Sequence, residues 1–184
     1  SVAYPSESRL NEVLSEDMSD HAQQEAYEDR LRALFDEADS LFSDDSVNIA
    51  TGHLLVSGGW ESDSERQIQV GGSLPVEPKS LPGRAHYIAL GHLHRPQEVR
   101  SSRSPCRYSG SPLAYSFSEC DQQKEVVIVD AAPGRDTIVK PVKLTCGKPL
   151  KKWEAESLDE VFALLREPRN LDCWVNLEVK AQQP

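Results

Sequence analysis

The segment Tyr87-Ile88-Ala89-Leu90-Gly91-His92-Leu93-His94 restricts the fold of this chain more than any other. Its first four residues form an apolar run of buried-strand length, which passes without a polar turn into two histidines separated by one residue. From a loop, imidazoles at that spacing converge on neighbouring points. A second segment repeats the plan, since Val47-Asn48-Ile49-Ala50 reads as a short strand ending at Thr51-Gly52-His53. Three of the five histidines are thus predicted at the C-terminal ends of strands. Glycine precedes both His53 and His92, where a side chain would obstruct the close approach of backbone and ion. The pattern points to metal ligation by His53, His92 and His94; the competing reading is loop or core histidines bonded to backbone. His21 and His86 fall outside it and are assigned to surface and packing.

Around these segments the periodicity changes in a readable order. From Ala22 to Phe42, the residues Ala26, Tyr27, Leu31, Leu34, Phe35, Ala38, Leu41 and Phe42 recur at three- and four-residue spacing, which predicts an amphipathic helix capped by Ser19 or Asp20. Ser57 to Gly72 is polar and glycine-bearing, and Pro75, Pro78 and Pro82 follow, so both stretches are read as surface loops. Short strands are predicted at 107–109 and 126–130. Past the Pro133-Gly134 turn come a strand at 137–144, a helix at 158–165 and a strand at 174–179. The fold class is therefore mixed α/β (α+β), with one unit over 1–132 and the start of a second over 133–184.

Charge is distributed unevenly. Residues 1–45 carry thirteen acids against three arginines, whereas Lys79 to Arg107 carry six bases against Glu98 alone, within a chain of net charge -10. A short basic stretch beside the histidines suits phosphate contact, with Arg95, Arg100 and Arg107 as candidates for DNA binding; a solvated loop face is the plain alternative. Cys106, Cys120, Cys146 and Cys173 form no C-x-x-C pair and are expected to be reduced and structural. No run approaches the ~20 apolar residues of a membrane helix, and residues 1–10 lack a signal-peptide pattern, so a cytoplasmic address is expected. Gly58-Gly59 and Gly71-Gly72 are isolated pairs with no nucleotide-binding spacing, and no serine occupies a nucleophile elbow.

A hydrolytic pair of divalent ions needs hard carboxylate oxygens beside its imidazoles. No predicted strand here ends in D-x-H or G-D, and Asp63 and Glu65 sit in a polar loop with no strand to fix them. Three histidines alone could instead hold one zinc ion and an activated water, as in a mononuclear hydrolase.

Several blocks together resemble the SbcD-type metallophosphoesterase nucleases. They are Tyr4-Pro5-Ser6-Glu7-Ser8-Arg9-Leu10, Gly52-His53-Leu54, Gln69-Val70-Gly71-Gly72, Tyr87 through Gln97, and Arg107-Tyr108-Ser109-Gly110-Ser111-Pro112-Leu113-Ala114-Tyr115-Ser116-Phe117-Ser118-Glu119. The resemblance covers nearly the whole chain in order and matches the family's C-terminal half. It implies the later half of a calcineurin-like β-sandwich flanked by helices, followed by part of a small α/β capping domain. It further implies a site for two divalent metal ions, Mn2+ foremost, with His53 and His92 on one ion and His94 on the other. Such enzymes hydrolyse DNA phosphodiesters in double-strand break and hairpin processing, as a homodimer with an SbcC-type ATPase partner. The family's remaining ligands come from D-x-H, bridging-aspartate and G-N-H-D motifs, which these 184 residues lack. The chain alone is therefore expected to be inactive, and a non-catalytic remnant that binds the ATPase or DNA is the alternative.

Overall fold

The computed structural model describes residues 19–62 and 75–180. Asp63, Glu65 and the blocks at 4–10 and 69–72 lie outside them. Helix α1 (Asp20–Ser40) starts where Ser19, in extended backbone, accepts the Ala22 N–H on its hydroxyl at 3.4 Å. Tyr27, Leu31 and Phe35, each four residues apart, bury one ridge of the helix in the core. Leu34 and Leu41, placed on the apolar face by periodicity, are instead 42% and 80% exposed. Successive residues turn by about 100° on a helix, so Leu34 falls off the contact made by Phe35.

The main sheet contains β1 (Ile49–His53), β2 (Tyr87–Gly91), β3 (Gln97–Glu98) and β4 (Cys106–Tyr108), in the order β1-β2-β4-β3. Both β1 and β4 run parallel to β2, while β3 is antiparallel to β4. Strand β2 is central, and Tyr87, Ile88 and Leu90 on it are all buried. That accounts for its continuous apolar sequence, since a parallel strand covered on both faces has no polar side to alternate with. Asn48, just before β1, fixes the approach of the two strands: its N–H donates to Nδ1 of His86 at 3.1 Å and its C=O accepts the His86 N–H at 2.8 Å. At the end of α1, Asp39 accepts the N–H groups of Gly83 and Arg84, at 2.7 and 3.2 Å, tying the helix to the loop entering β2.

The proline-bearing linker departs from its expected surface position. Val76, Pro78, Ser80, Leu81 and Pro82 are buried, with a 3-10 turn over Pro78–Ser80. Val56 and Val76 form a parallel bridge, and Ser57 donates to Val76 O at 2.9 Å. The prolines mark a tight path that docks against the core, because Val76 and Leu81 carry enough apolar area to hold it there.

Tyr108, fully buried at the end of β4, joins this layer to the chain leaving β1. Its hydroxyl donates to Leu54 O and accepts the Val56 N–H, both at 2.9 Å. Burial pushes that phenol well above its ordinary range, so it stays a neutral donor and acceptor. Beside it, burial pushes the Cys106 thiol up to about 12.

The hairpin β5 (Glu125–Asp130) and β6 (Ile138–Lys143) follows, then β7 (Leu150–Ala155), α2 (Leu158–Arg166) and β8 (Trp174–Val179). Strands β7 and β8 are parallel partners joined through α2, and Trp153 and Ala155 of β7 and Val161 of α2 are buried. Sequence periodicity missed both β3 and β7. Strand β7 is written Leu-Lys-Lys-Trp-Glu-Ala, and its lysines and glutamate conceal the inward Trp153 and Ala155. The architecture is mixed α/β, with two α-helices among the described residues, consistent with part of a metallophosphoesterase fold. Among these residues no helix is long and apolar enough to cross a membrane.

Two outcomes follow for the chain in solution. Tyr108→Phe removes the partner of two buried backbone groups and lowers unfolding free energy by about 1–3 kcal/mol, measured by denaturant titration; an unchanged midpoint would refute the linking role. In the native state at pH 8 a thiol-specific reagent labels the exposed Cys120 and Cys146 quickly and Cys106 only on unfolding, as labelling kinetics followed by mass spectrometry would reveal.

Candidate functional site

The parallel register of β1 and β2 runs from Ile49 opposite Tyr87 to His53 opposite Gly91, so both strands finish at one edge. In sheets of parallel strands that edge is where ligands bind. His53 is the last residue of β1, and His92 follows Gly91 directly. Their rings lie edge to face, with centroids 5.5 Å apart and planes at 77°. A Cβ placed on Gly91 would lie 2.8 Å from His53 Nδ1. A side chain at 91 would therefore displace the neighbouring imidazole. On Gly52, a Cβ would meet Leu54 Cδ2 at 3.2 Å, a tight contact with a flexible side chain.

His92 has a φ of 109°, the one positive value among described non-glycine residues. Such backbone costs on the order of 1–3 kcal/mol and persists where its surroundings over-determine it. Here Leu93, 2% exposed, is locked in the core between His92 and His94.

His94 is held from the other side. Its Nδ1 lies 2.9 Å from Oε1 of Glu119, whose side chain is wholly buried. Oε2 of Glu119 takes Lys124 Nζ at 2.6 Å and the Tyr115 N–H at 3.3 Å. Lys124 Nζ also reaches the backbone oxygen of His94 at 3.0 Å, Ser111 Oγ at 2.9 Å and Gln122 Oε1 at 2.8 Å. The Tyr115 ring stands edge-on to His94 at 5.4 Å. Sequence reasoning missed both Glu119 and Lys124 as site residues. The available signal was a glutamate in Phe117-Ser118-Glu119-Cys120 with a lysine five positions on, at the entry to an apolar strand.

The arginines divide. Arg95 and Arg100 line an open groove of about 530 Å³ with Gly59, Trp60, Gln97 and Glu98. The Arg95 guanidinium lies 5.9 Å from the centre of the exposed Trp60 ring and donates to Asp121 at 3.2 Å. Gln97 pins Trp60 by both backbone groups, accepting its N–H at 2.8 Å and donating to its C=O at 2.9 Å. A Cβ on Gly59 would meet Leu93 at 2.6 Å, so this groove adjoins the histidine loop. Arg100 is largely exposed, 3.9 Å from Glu98. Arg107, on β4, is mostly buried and donates to Glu125 at 2.7 Å, outside that lining.

Of the other histidines, His21 is exposed on α1 beside Glu25, and His86 accepts the Asn48 N–H. Among the described residues no three His, Cys, Asp or Glu side chains are gathered closely enough to enclose an ion. What is present fits part of such a centre: adjacent strand-end imidazoles, a glycine whose side-chain position one of them fills, and a third imidazole braced by a carboxylate.

No family profile matches the chain. Among curated proteins, the SbcD subunit of the nuclease SbcCD from Bacillus subtilis (strain 168) is 49% identical over 180 residues, covering 97% of this chain and 46% of that protein. The corresponding SbcCD nuclease subunit from Rhodobacter capsulatus is 41% identical over 150 residues, 74% of this chain and 35% of its own length. That of Escherichia coli (strain K12) is 32% identical over 139 residues, 73% and 34% respectively. The chain thus spans less than half the length of the relatives it matches. It belongs to the family of SbcD subunits of the SbcCD nuclease.

Proposed function

We propose that this chain supplies the histidine portion of a metal-dependent DNA nuclease subunit, hydrolysing phosphodiesters during double-strand break and hairpin processing. The observation that carries this reading is the pairing of His53 and His92 at adjacent strand ends, with His94 braced two residues beyond. His53 and His92 are assigned to one divalent ion and His94 to the other, with Mn2+ the preferred metal. Carboxylates from the remainder of such a subunit would complete the set. When bound, the ions would supply an activated water and stabilise the leaving oxygen of the phosphodiester. This chain's own part is to hold three imidazoles at a sheet edge and to present Arg95 and Arg100 in the adjoining groove, where DNA phosphates would lie. The reading extends to an SbcC-type ATPase partner, a homodimer of nuclease subunits and a cytoplasmic address. The proposed division at 132/133 falls between the paired strands β5 and β6, so the hairpin belongs to both units' border.

These 184 residues by themselves should show negligible Mn2+-dependent cleavage of a DNA hairpin; EDTA-sensitive cleavage abolished by His94→Ala in the purified chain would overturn that. In an intact nuclease subunit carrying this segment, His53→Ala, His92→Ala and His94→Ala each remove bound Mn2+, counted by elemental analysis, while melting shifts little for the first two and more for His94→Ala, which also removes a partner of the buried Glu119. Core histidines would behave oppositely, losing about 1–3 kcal/mol of stability with metal content unchanged. Neutralising Arg95 or Arg100 should lower the slope of log affinity against log salt for DNA by about one. Arg107, paired with Glu125, should give the smallest change of the three; coincident slopes for Arg95→Gln and the parent would remove the groove from the DNA path.

A further inference from the structure

Two histidines of this fold use the same nitrogen in opposite senses. Nδ1 of His86 accepts a backbone N–H from Asn48, so that ring, when neutral, carries its proton on Nε2. Nδ1 of His94 faces Oε1 of Glu119. The other oxygen of that carboxylate takes a lysine Nζ at 2.6 Å and a backbone N–H at 3.3 Å, contacts that an ionised acceptor satisfies. The His94 nitrogen is then the donor, its proton is on Nδ1, and the ring's lone pair is on Nε2.

Lys124 makes this arrangement rigid. Its side chain is 8% exposed, and it bonds the carboxylate that grips the His94 ring as well as the backbone oxygen of His94. Ser111 adds a backbone donor to that same oxygen at 3.1 Å and accepts from Lys124 on its hydroxyl. Ring and backbone of one histidine are thus fixed by one buried ion pair, built from the loop that enters β5. A buried ion pair contributes little net stability over an apolar replacement, so its presence beside this ring calls for another reason.

We propose that Glu119, clamped by Lys124, is a positioning residue that fixes His94 as the Nδ1–H tautomer and so presents Nε2 as its ligand atom. This rests on the reading of His94 as a metal ligand. Glu119 does not itself touch the ion; it acts by orienting the imidazole, as carboxylates behind metal-bound histidines do.

The test has two readouts. In the chain labelled with 15N-histidine, two-bond 1H–15N correlations identify the protonated nitrogen of His94. The parent should show Nδ1–H, and Glu119→Gln should show a mixture or the Nε2–H form. Should the single variant unfold around an unpaired lysine, the neutral pair Glu119→Gln with Lys124→Met is measured in its place and should shift the same way. In an intact nuclease subunit carrying this segment, Mn2+ affinity should fall about 10- to 100-fold in these variants, while His53→Ala leaves the His94 tautomer as it was. Nε2–H in the parent, or Nδ1–H retained in both variants, overturns the proposal. If His94→Ala loses its ion while Glu119→Gln binds Mn2+ as the parent does, positioning fails and the ligand reading stands. If His94→Ala keeps full metal content, the ligand reading falls, and the proposal with it.

Discussion

The parallel pairing of β1 with β2 is the interaction on which the remainder depends. Its register places His53 opposite Gly91 and so brings two imidazoles to one edge, although 38 residues of chain separate His53 from His92. A slip of one residue would turn every side chain of β1 to the other face of the sheet. Several independent contacts prevent that slip. Asn48 and His86 exchange bonds at the start of the pair, Tyr108 spans Leu54 and Val56 beyond its end, and α1 packs Phe35 in the core that β2 completes.

Around that edge the chain uses buried polarity sparingly and locally. Asn48 satisfies its carboxamide within the loop from Ser43 to Ser46, accepting from Ser43 N–H and Ser46 Oγ and donating to Ser43 O. Glu119 and Lys124 neutralise one another beneath His94, with Ser111, Gln122 and the His94 backbone oxygen sharing the remaining lysine protons. Each group has several partners, which is the condition under which polar atoms can be removed from water without large cost. These networks belong to short loops, not to strands, and they set where the strand-end residues stand.

Much of this was legible in the sequence because it was written in period and position. The Tyr27, Leu31 and Phe35 ridge of α1 and the strand from Tyr87 carry hydrophobic patterns that match their final environment, and the strand from Trp174 was legible by its pattern although Trp174 itself is 63% exposed. The strand-end placement of His53, His92 and His94 followed from apolar runs meeting glycine. Other features were hidden for physical reasons. Val76 to Pro82 looks like a surface linker because prolines exclude regular structure, yet exclusion from a helix does not mean exposure. Strand β7 carries its polarity on the outward side of a small unit, where two inward residues give too short a signal. Glu119 and Lys124 are charged, so composition alone puts them in water; only tertiary proximity makes them each other's solvent. Arg95 and Arg107 look equivalent in a basic stretch, and the fold separates them by pairing one with Glu125 and laying the other over Trp60.

The unusual backbone at His92 also bears on how this protein could change over generations. A residue with φ of 109° is most comfortable as glycine, so conformational preference at that position opposes the need for an imidazole. Selection for thermal tolerance alone would therefore favour drift toward glycine here, whereas selection for a ring beside His53 would resist it. A lineage released from that second pressure should lose this histidine early, because glycine relieves the backbone strain. The left-handed turn is in that sense a local gauge of whether the histidine edge is still in use.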